Sequence, residues 1–341
     1  MASSLLTDIN DWDSALRLGS QSSAMDFETM TRASSRSDDR FSPGVLTPPD
    51  SSYNSPVDDR KVEGNACISV STTFFPGANI DSVPIDLIIV SSDSVFFYVQ
   101  SQRLLSASDN EFNSHLPIKR ELLESDPILT LPESSSVLNI VLHTIYNMSC
   151  SHYSPSLADL SAAITALKVY GVPLQTSLAP GTPLSTTLLS YAPTNPLELY
   201  AIASAYGLHE IAVSTSPHLL SYSLPSITDD MATRIGAVYL KKLFFLHLGR
   251  IEALKRLILT PPHPHAPTPT CDFVEQKKLT RAWALASAYI TWDVRPDMSA
   301  STIESALCPL VDHLSCDVCK VVLRDRIKDV VVQWSVVKRT I

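Results

Sequence analysis

Two apolar runs of strand length, "IDLIIV" (85–90) and "VFFYVQ" (95–100), are separated by only four residues, Ser91 to Ser94. Two strands joined that closely are most simply a hairpin. Around it lie further short strand signals. "CISVSTTFFP" places Ile68, Val70, Thr72 and Phe74 at period two, and "ILTLP" (128–132) is a short apolar run closed by proline. Helical spacing then takes over. "SSSVLNIVLHTIYN" sets Val137, Val141 and Ile145 four apart, with Leu138 and Leu142 beside them, and Ser134 to Ser136 offer N-caps. In "SPSLADLSAAITALKVYG", Ser156 and Asp159 have capping-box spacing, Leu157, Leu160, Ile164 and Leu167 form a stripe, and Gly171 is a natural stop. A hairpin followed by paired helices predicts an α+β unit over residues 67–178.

The order of these pieces, from the Asp86 strand through the Ser-Ser-Asp turn, "FFYV", "LLSAS", "LTLPESSSVLNIVLHTIYN" and "LADLSAAITALKVYGV", resembles the BTB/POZ domain over residues 85–175. The nearest pattern is the divergent form abundant in basidiomycete fungi. The resemblance implies a small sheet backed by helices and a function of protein–protein contact. It further implies homodimerisation, with use as a cullin ubiquitin-ligase adaptor or as a nuclear transcriptional co-regulator. Residue by residue it places Asp86 at the acidic position of the family's dimer pocket and Phe112 at its expected aromatic position. The family's His-Lys after the second strand is Gln100-Ser101 here, and its Pro after "AS" is Asp109. Arg103 is the nearest base that could meet Asp86, since a lone carboxylate in a desolvated interface is costly. Capping of a turn by Asp86 is the competing reading. Asp86, Arg103 and Phe112 are therefore the candidate partner-interface residues.

Residues 1–66 are a different material. "TRASSRSDDRFSPGVLTPPDSSYNSPVDDR" is rich in Ser, Asp, Arg and Pro and cannot bury enough apolar surface to offset its conformational entropy. A disordered tail is expected, with a transient helix near residues 12–18. Ser42, Thr47 and Ser55 precede proline, and Ser51 follows Thr47 by four. "VLTPPDSS" resembles the phosphodegrons read by WD40-repeat F-box proteins, so Ser42, Thr47, Ser51 and Ser55 are candidate phosphorylation sites. The competing reading is a chance match in a Ser/Pro-rich segment.

Residues 179–194 read as a Pro/Ser/Thr linker, and 195–341 as an all-helical domain. "NPLELYAIASAYGL" offers Asn195 as a cap, Pro196 at the first helical position and Gly207 as a stop. This phrase is similar to the helix that opens a BACK-like extension in the fungal BTB proteins. "SITDDMATRIGAVYLKKLFFLHLGRIEALKRLIL" predicts one long helix capped by Ser226. "PPHPHAPTPT" is an extended proline-rich loop, and "LTRAWALASAYI" puts Leu279, Trp283, Ala286 and Ile290 on one face.

Chemistry is sparse. Of 341 residues only nine are glycine, and no Gly-rich phosphate loop, P-loop or Gly-x-Ser-x-Gly elbow occurs. No enzyme, cofactor or small-molecule substrate is expected. The net charge of −9, without a basic run of five, disfavours direct nucleic-acid binding. No apolar run of eighteen suggests a membrane span, and no basic n-region suggests a secretory leader. Six cysteines without a leader read as reduced thiols in cytoplasm or nucleus. The sharpest cluster is "CPLVDHLSCDVC". Cys308, His313, Cys316 and Cys319 have zinc-ligand chemistry, and on one helix the last three would share a face away from Leu310, Leu314, Val318 and Val321. Cys308 or a histidine of the His263/His265 loop would be the fourth ligand. Small buried thiols are the plainer alternative, and a zinc- or thiol-dependent enzyme is the third functional class. His143 and His152 flank Cys150 in the sequence, a conceivable Cys/His nucleophile pair, without an evident oxyanion site.

Overall fold

The structure is a computed structural model that describes residues 69–118 and 127–341. The expected tail, with Ser42, Thr47, Ser51 and Ser55, lies outside the described residues. The described chain is mixed α+β: a four-stranded sheet backed by helices, continuing into a helical region.

The sheet has strands β1 (Ser69–Val70), β2 (Leu87–Val90), β3 (Val95–Val99) and β4 (Ile128–Thr130), in the order β1-β3-β2-β4. β2 and β3 form the antiparallel hairpin, pairing Ile88 with Tyr98 and Val90 with Phe96, while β1 and β4 join its two edges in parallel. Alternation sets the faces: Leu87, Ile89, Phe97 and Val99 are buried, whereas Ile88, Phe96 and Tyr98 are half-buried. Among the described residues the first strand signal yields two paired residues, Ser69 and Val70. Beyond Val70 the chain turns, and the Ser71 hydroxyl accepts the backbone N–H of Phe74, which drops that ring into the core.

Helix α1 (Ser101–Ala107) leaves β3 directly. Next comes a left-handed turn at Glu111, Phe112, Asn113 and Ser114, all with φ between 53° and 62°. The Asn110 side chain supports it by accepting the Asn113 N–H at 2.8 Å. Helices α2 (Ser135–Ile145) and α3 (Leu157–Val169) pack on each other and on the sheet. Ser134 and Ser156 cap them, and Gly171 ends the second at φ +69°.

The expected linker is not a linker. Helix α4 (Pro183–Leu189) lies within it, capped by Thr182, and buries Leu184 and Leu188. The hydroxyls of Ser185, Thr186 and Thr187 turn back onto carbonyls of the preceding turn, so this Ser/Thr-rich stretch satisfies itself. One hydrophobic core therefore runs from Phe74 through α2, α3, α4, α5 (Pro196–Ala205) and α6 (His209–Thr215) to Leu243.

Helix α7 (Asp229–Leu259) spans both cores. Thr228, rather than Ser226, caps it, and the helix breaks at Gly236, where φ is +74° and ψ is 156°. Its far end, Leu254 and Ile258, joins a second core with α8 (Phe273–Trp292), α9 (Ala300–Leu307) and α10 (Asp317–Ser335). The α8 face is as expected: Leu279, Trp283, Ala286 and Ile290 are buried. On α10 the buried stripe is Cys319, Leu323, Ile327, Val330 and Trp334, while Val318 and Val321 face out. Buried Arg250 links this core to the chain end. Its Nε donates to Pro296 O at 2.6 Å, Nη1 donates to Val337 O at 2.8 Å, and the guanidinium lies 4.2 Å from the Trp334 ring centre. Among the described residues no helix is long and apolar enough to cross a membrane.

Candidate functional site

The candidate interface residues separate when placed in the fold. The Asp86 carboxylate accepts the Ser101 backbone N–H and its hydroxyl, each at 2.7 Å. It thus caps the start of α1, where the Gln100 side chain makes no capping bond. Gln100 is occupied elsewhere: its Nε2 donates to Val83 O at 3.1 Å, and its Oε1 accepts the Tyr146 hydroxyl. Arg103 pairs with Asp81 at 3.0 Å and lies over the Tyr146 ring. Phe112 has no exposed surface. It stacks on Tyr170 with ring centres 4.3 Å apart, inside the protomer's own core, and so cannot present its ring to a partner.

Cys150 is buried in the first core. Burial pushes the thiol pKa up, away from the reactive thiolate. His143 is fully buried among the rings of Phe74, His152 and Tyr153. Burial lowers its pKa, Nδ1 bonds Asn139 O at 2.7 Å, and Nε2 is buried without a hydrogen-bond partner.

A different set of chemical groups does converge. Imidazole Nε2 of His265 and the Sγ atoms of Cys271, Cys316 and Cys319 all lie within 4.8 Å of one another. His265 Nε2 is 3.2 Å from Cys319 Sγ and 3.4 Å from Cys316 Sγ, and Cys271 Sγ is 3.7 Å from Cys319 Sγ. Three elements supply them. The proline-rich loop carries His265, and its prolines hold the chain extended where no helix or strand can form. An isolated bridge between Thr268 and Cys271 turns the loop and buries Cys271 just before α8, which Asp272 caps. The start of α10 carries Cys316 at its N-cap position and Cys319 one turn in.

The electrostatics differ from sulfur to sulfur. Backbone amides at the start of α10, chiefly that of Cys319, bring the Cys316 pKa down to about 7. Burial, with the neighbouring thiols, pushes Cys319 up to about 12 and also raises Cys271. Nδ1 of His265 bonds Ala266 O at 2.7 Å, which assigns its proton to Nδ1 and leaves the Nε2 lone pair facing the sulfurs.

Of the expected ligands Cys316 and Cys319 are kept, the loop histidine offered as an alternative to Cys308 is His265, and Cys271 stands in place of His313. Cys316 and Cys319 belong to the cluster. Cys308 is exposed at the end of α9, and exposed His313 sits before the helix, outside the four. The single-helix reading fails because the chain turns through residues 312–316 before α10 starts. Cys271 was overlooked because nothing near it in sequence has ligand spacing. The combination of a His-x5-Cys pair with a distant Cys-x-x-Cys pair was the available signal.

No protein-family model, no curated protein and no solved structure matches this chain.

Proposed function

We propose that this chain is a protein-interaction module of BTB/POZ type that acts as an adaptor or scaffold. The observation that carries the reading is an apolar stripe turned to solvent on α8. Leu285, Tyr289 and Trp292 follow one another by four and three residues, opposite the buried Leu279, Trp283, Ala286 and Ile290 face, and Trp292 is 94% exposed. Exposed Trp and Tyr side chains in a contiguous apolar patch are the groups that dominate binding energy at protein interfaces. Self-association is assigned to the sheet unit. Both edge strands, β1 and β4, are open among the described residues, and Ile128 on β4 is 61% exposed. The cullin-adaptor role is the use that the sequence resemblance implies for such a scaffold.

The test is affinity purification from the native cell with wild-type chain and a Leu285→Ala/Trp292→Ala variant. Removing exposed side chains leaves folding stability within about 0.5 kcal/mol, so lost partners report the surface itself. An unchanged partner set would refute the docking role of α8. Light scattering on the full chain tests self-association, and a single-chain mass at micromolar concentration counts against it. A fragment ending near residue 180 is unsuitable, because the first core continues to Leu243.

A further inference from the structure

Three sulfurs and an imidazole nitrogen seldom face one another by packing alone. A thiol used as a small apolar side chain turns toward hydrocarbon, and Cys271 and Cys319 turn instead toward each other and toward a ring nitrogen. A tetrahedral zinc ion with bonds of about 2.3 Å to sulfur and about 2.0–2.1 Å to nitrogen requires ligand separations of about 3.8 Å between sulfurs and about 3.6 Å between sulfur and nitrogen. Three of the six separations here are 3.7 Å for Cys271 to Cys319, and 3.4 and 3.2 Å for His265 to Cys316 and Cys319, and all six lie within 4.8 Å, a set that a shift of about 1 Å brings onto a zinc ion. A Cys271–Cys319 disulfide would need sulfurs at about 2.05 Å, and it would leave Cys316 and His265 facing it to no purpose.

We propose that His265, Cys271, Cys316 and Cys319 form a structural zinc site. The surroundings are built for it. The Nδ1 bond to Ala266 O orients the imidazole with Nε2 inward, the outer-shell arrangement that holds a ligating histidine. The Cys-x-x-Cys pair lies at the N-cap and in the first turn of α10, so both sulfurs are fixed to one rigid helix start. Four protein ligands complete the coordination of zinc and leave no open position for substrate or water, so the role is structural. The ion ties the proline-rich loop, 54 residues away in sequence, to the start of α10. That loop has no regular element between α7 and α8, and beside the Thr268–Cys271 bridge its start is held by Arg326 Nε donating to Thr260 O at 3.1 Å.

The experiment uses the full chain purified under reducing conditions. Elemental analysis is expected to find one zinc per chain. Cobalt(II) added to chelator-stripped wild-type protein should give the thiolate charge-transfer band and the intense visible absorption of a tetrahedral site, reversed by zinc. His265→Asn and Cys271→Ser should each abolish the tetrahedral spectrum, whereas Cys308→Ser and His313→Asn should retain it. The proposal is overturned if stripped wild-type protein gives no tetrahedral cobalt spectrum. It is equally overturned if Cys308→Ser loses the metal while Cys271→Ser keeps it, or if the purified chain carries a Cys271–Cys319 disulfide.

Discussion

Asp86 and Ser101 are joined by two hydrogen bonds of 2.7 Å, one to the backbone N–H and one to the hydroxyl of the same residue. The hairpin repeats the device at its other end. There Asp93 accepts the Ser135 N–H at 2.8 Å and its hydroxyl at 2.6 Å, at the start of α2. Each carboxylate thus satisfies a helix-start donor from outside the helix, and each sits where the helix dipole favours negative charge. Asp86→Ala should cost about 1–2 kcal/mol of folding stability, the usual loss on deleting a cap. Urea midpoints for Asp86→Ala, Ser101→Ala and the double variant check it. The two losses should fail to add, because both remove the hydroxyl–carboxylate bond, while Ser101→Ala alone keeps the backbone N–H bond and should cost less.

Gly171 and Gly236 both have positive φ, but their surroundings differ. A Cβ at Gly171 would press on the side-chain Oδ1 atoms of Asn110 and Asp109, whereas one at Gly236 would meet nothing within 4 Å. Gly236→Ala should therefore cost only the conformational term, about 1–3 kcal/mol. Gly171→Ala should cost more, since it also disturbs the Asn110 bonds that hold the left-handed turn. Thermal melts of the two variants rank them.

Arg250 carries a buried charge whose donors reach the carbonyls of Pro296, Val337 and Lys338. Lysine has one compact head and cannot span three acceptors lying on two segments. Arg250→Lys should destabilise by roughly 2–3 kcal/mol, the scale of a lost charge-assisted hydrogen bond. It should also speed amide exchange around Val337. Denaturant unfolding and hydrogen exchange measure the two effects.

Acid should weaken the fold through its buried histidines. Burial lowers the pKa of both His143 and His247 below the ordinary 6.5. The unfolded chain takes up protons as pH falls through about 6.5, while the folded chain resists them, so stability drops from that pH downward until the folded groups titrate. Each histidine contributes at most about 1.4 kcal/mol per pH unit. His143→Phe should flatten the slope between about pH 6.5 and 5 by up to that amount, as read from urea titrations at several pH values. An unchanged slope would remove His143 from this account.

The parts of the fold that were legible in the sequence are those where one period governs a whole element. The β2–β3 hairpin, the stripe of α3 and the buried face of α8 each follow from local spacing. Where tertiary contacts decide, spacing misleads. Residues 183–189 look like a linker because Ser and Thr dominate, yet Leu184 and Leu188 reach the core and the hydroxyls bond within the helix. Residues 308–319 look like one helix because apolar residues recur at helical intervals. The real stripe begins only at Cys319, after the turn. One member of the metal cluster shared this fate. Cys316 and Cys319 advertise themselves by adjacency and His265 by its histidine-bearing loop, while Cys271 arrives through the path of a loop whose course no local rule dictates.

The tryptophans give the molecule an optical asymmetry. Trp283 and Trp334 are sealed, their indole N–H groups donating to Ile258 O and Met298 O, while Trp292 stands in water on the α8 stripe. Among the described residues these three are the indole fluorophores. Emission from the first two reports the integrity of the second core, and emission from Trp292 reports its immediate solvent. A partner settling on α8 would shift the red edge of the spectrum to the blue and protect it from soluble quenchers while the buried pair stayed constant. The chain thus carries a built-in, label-free sensor of its own occupancy.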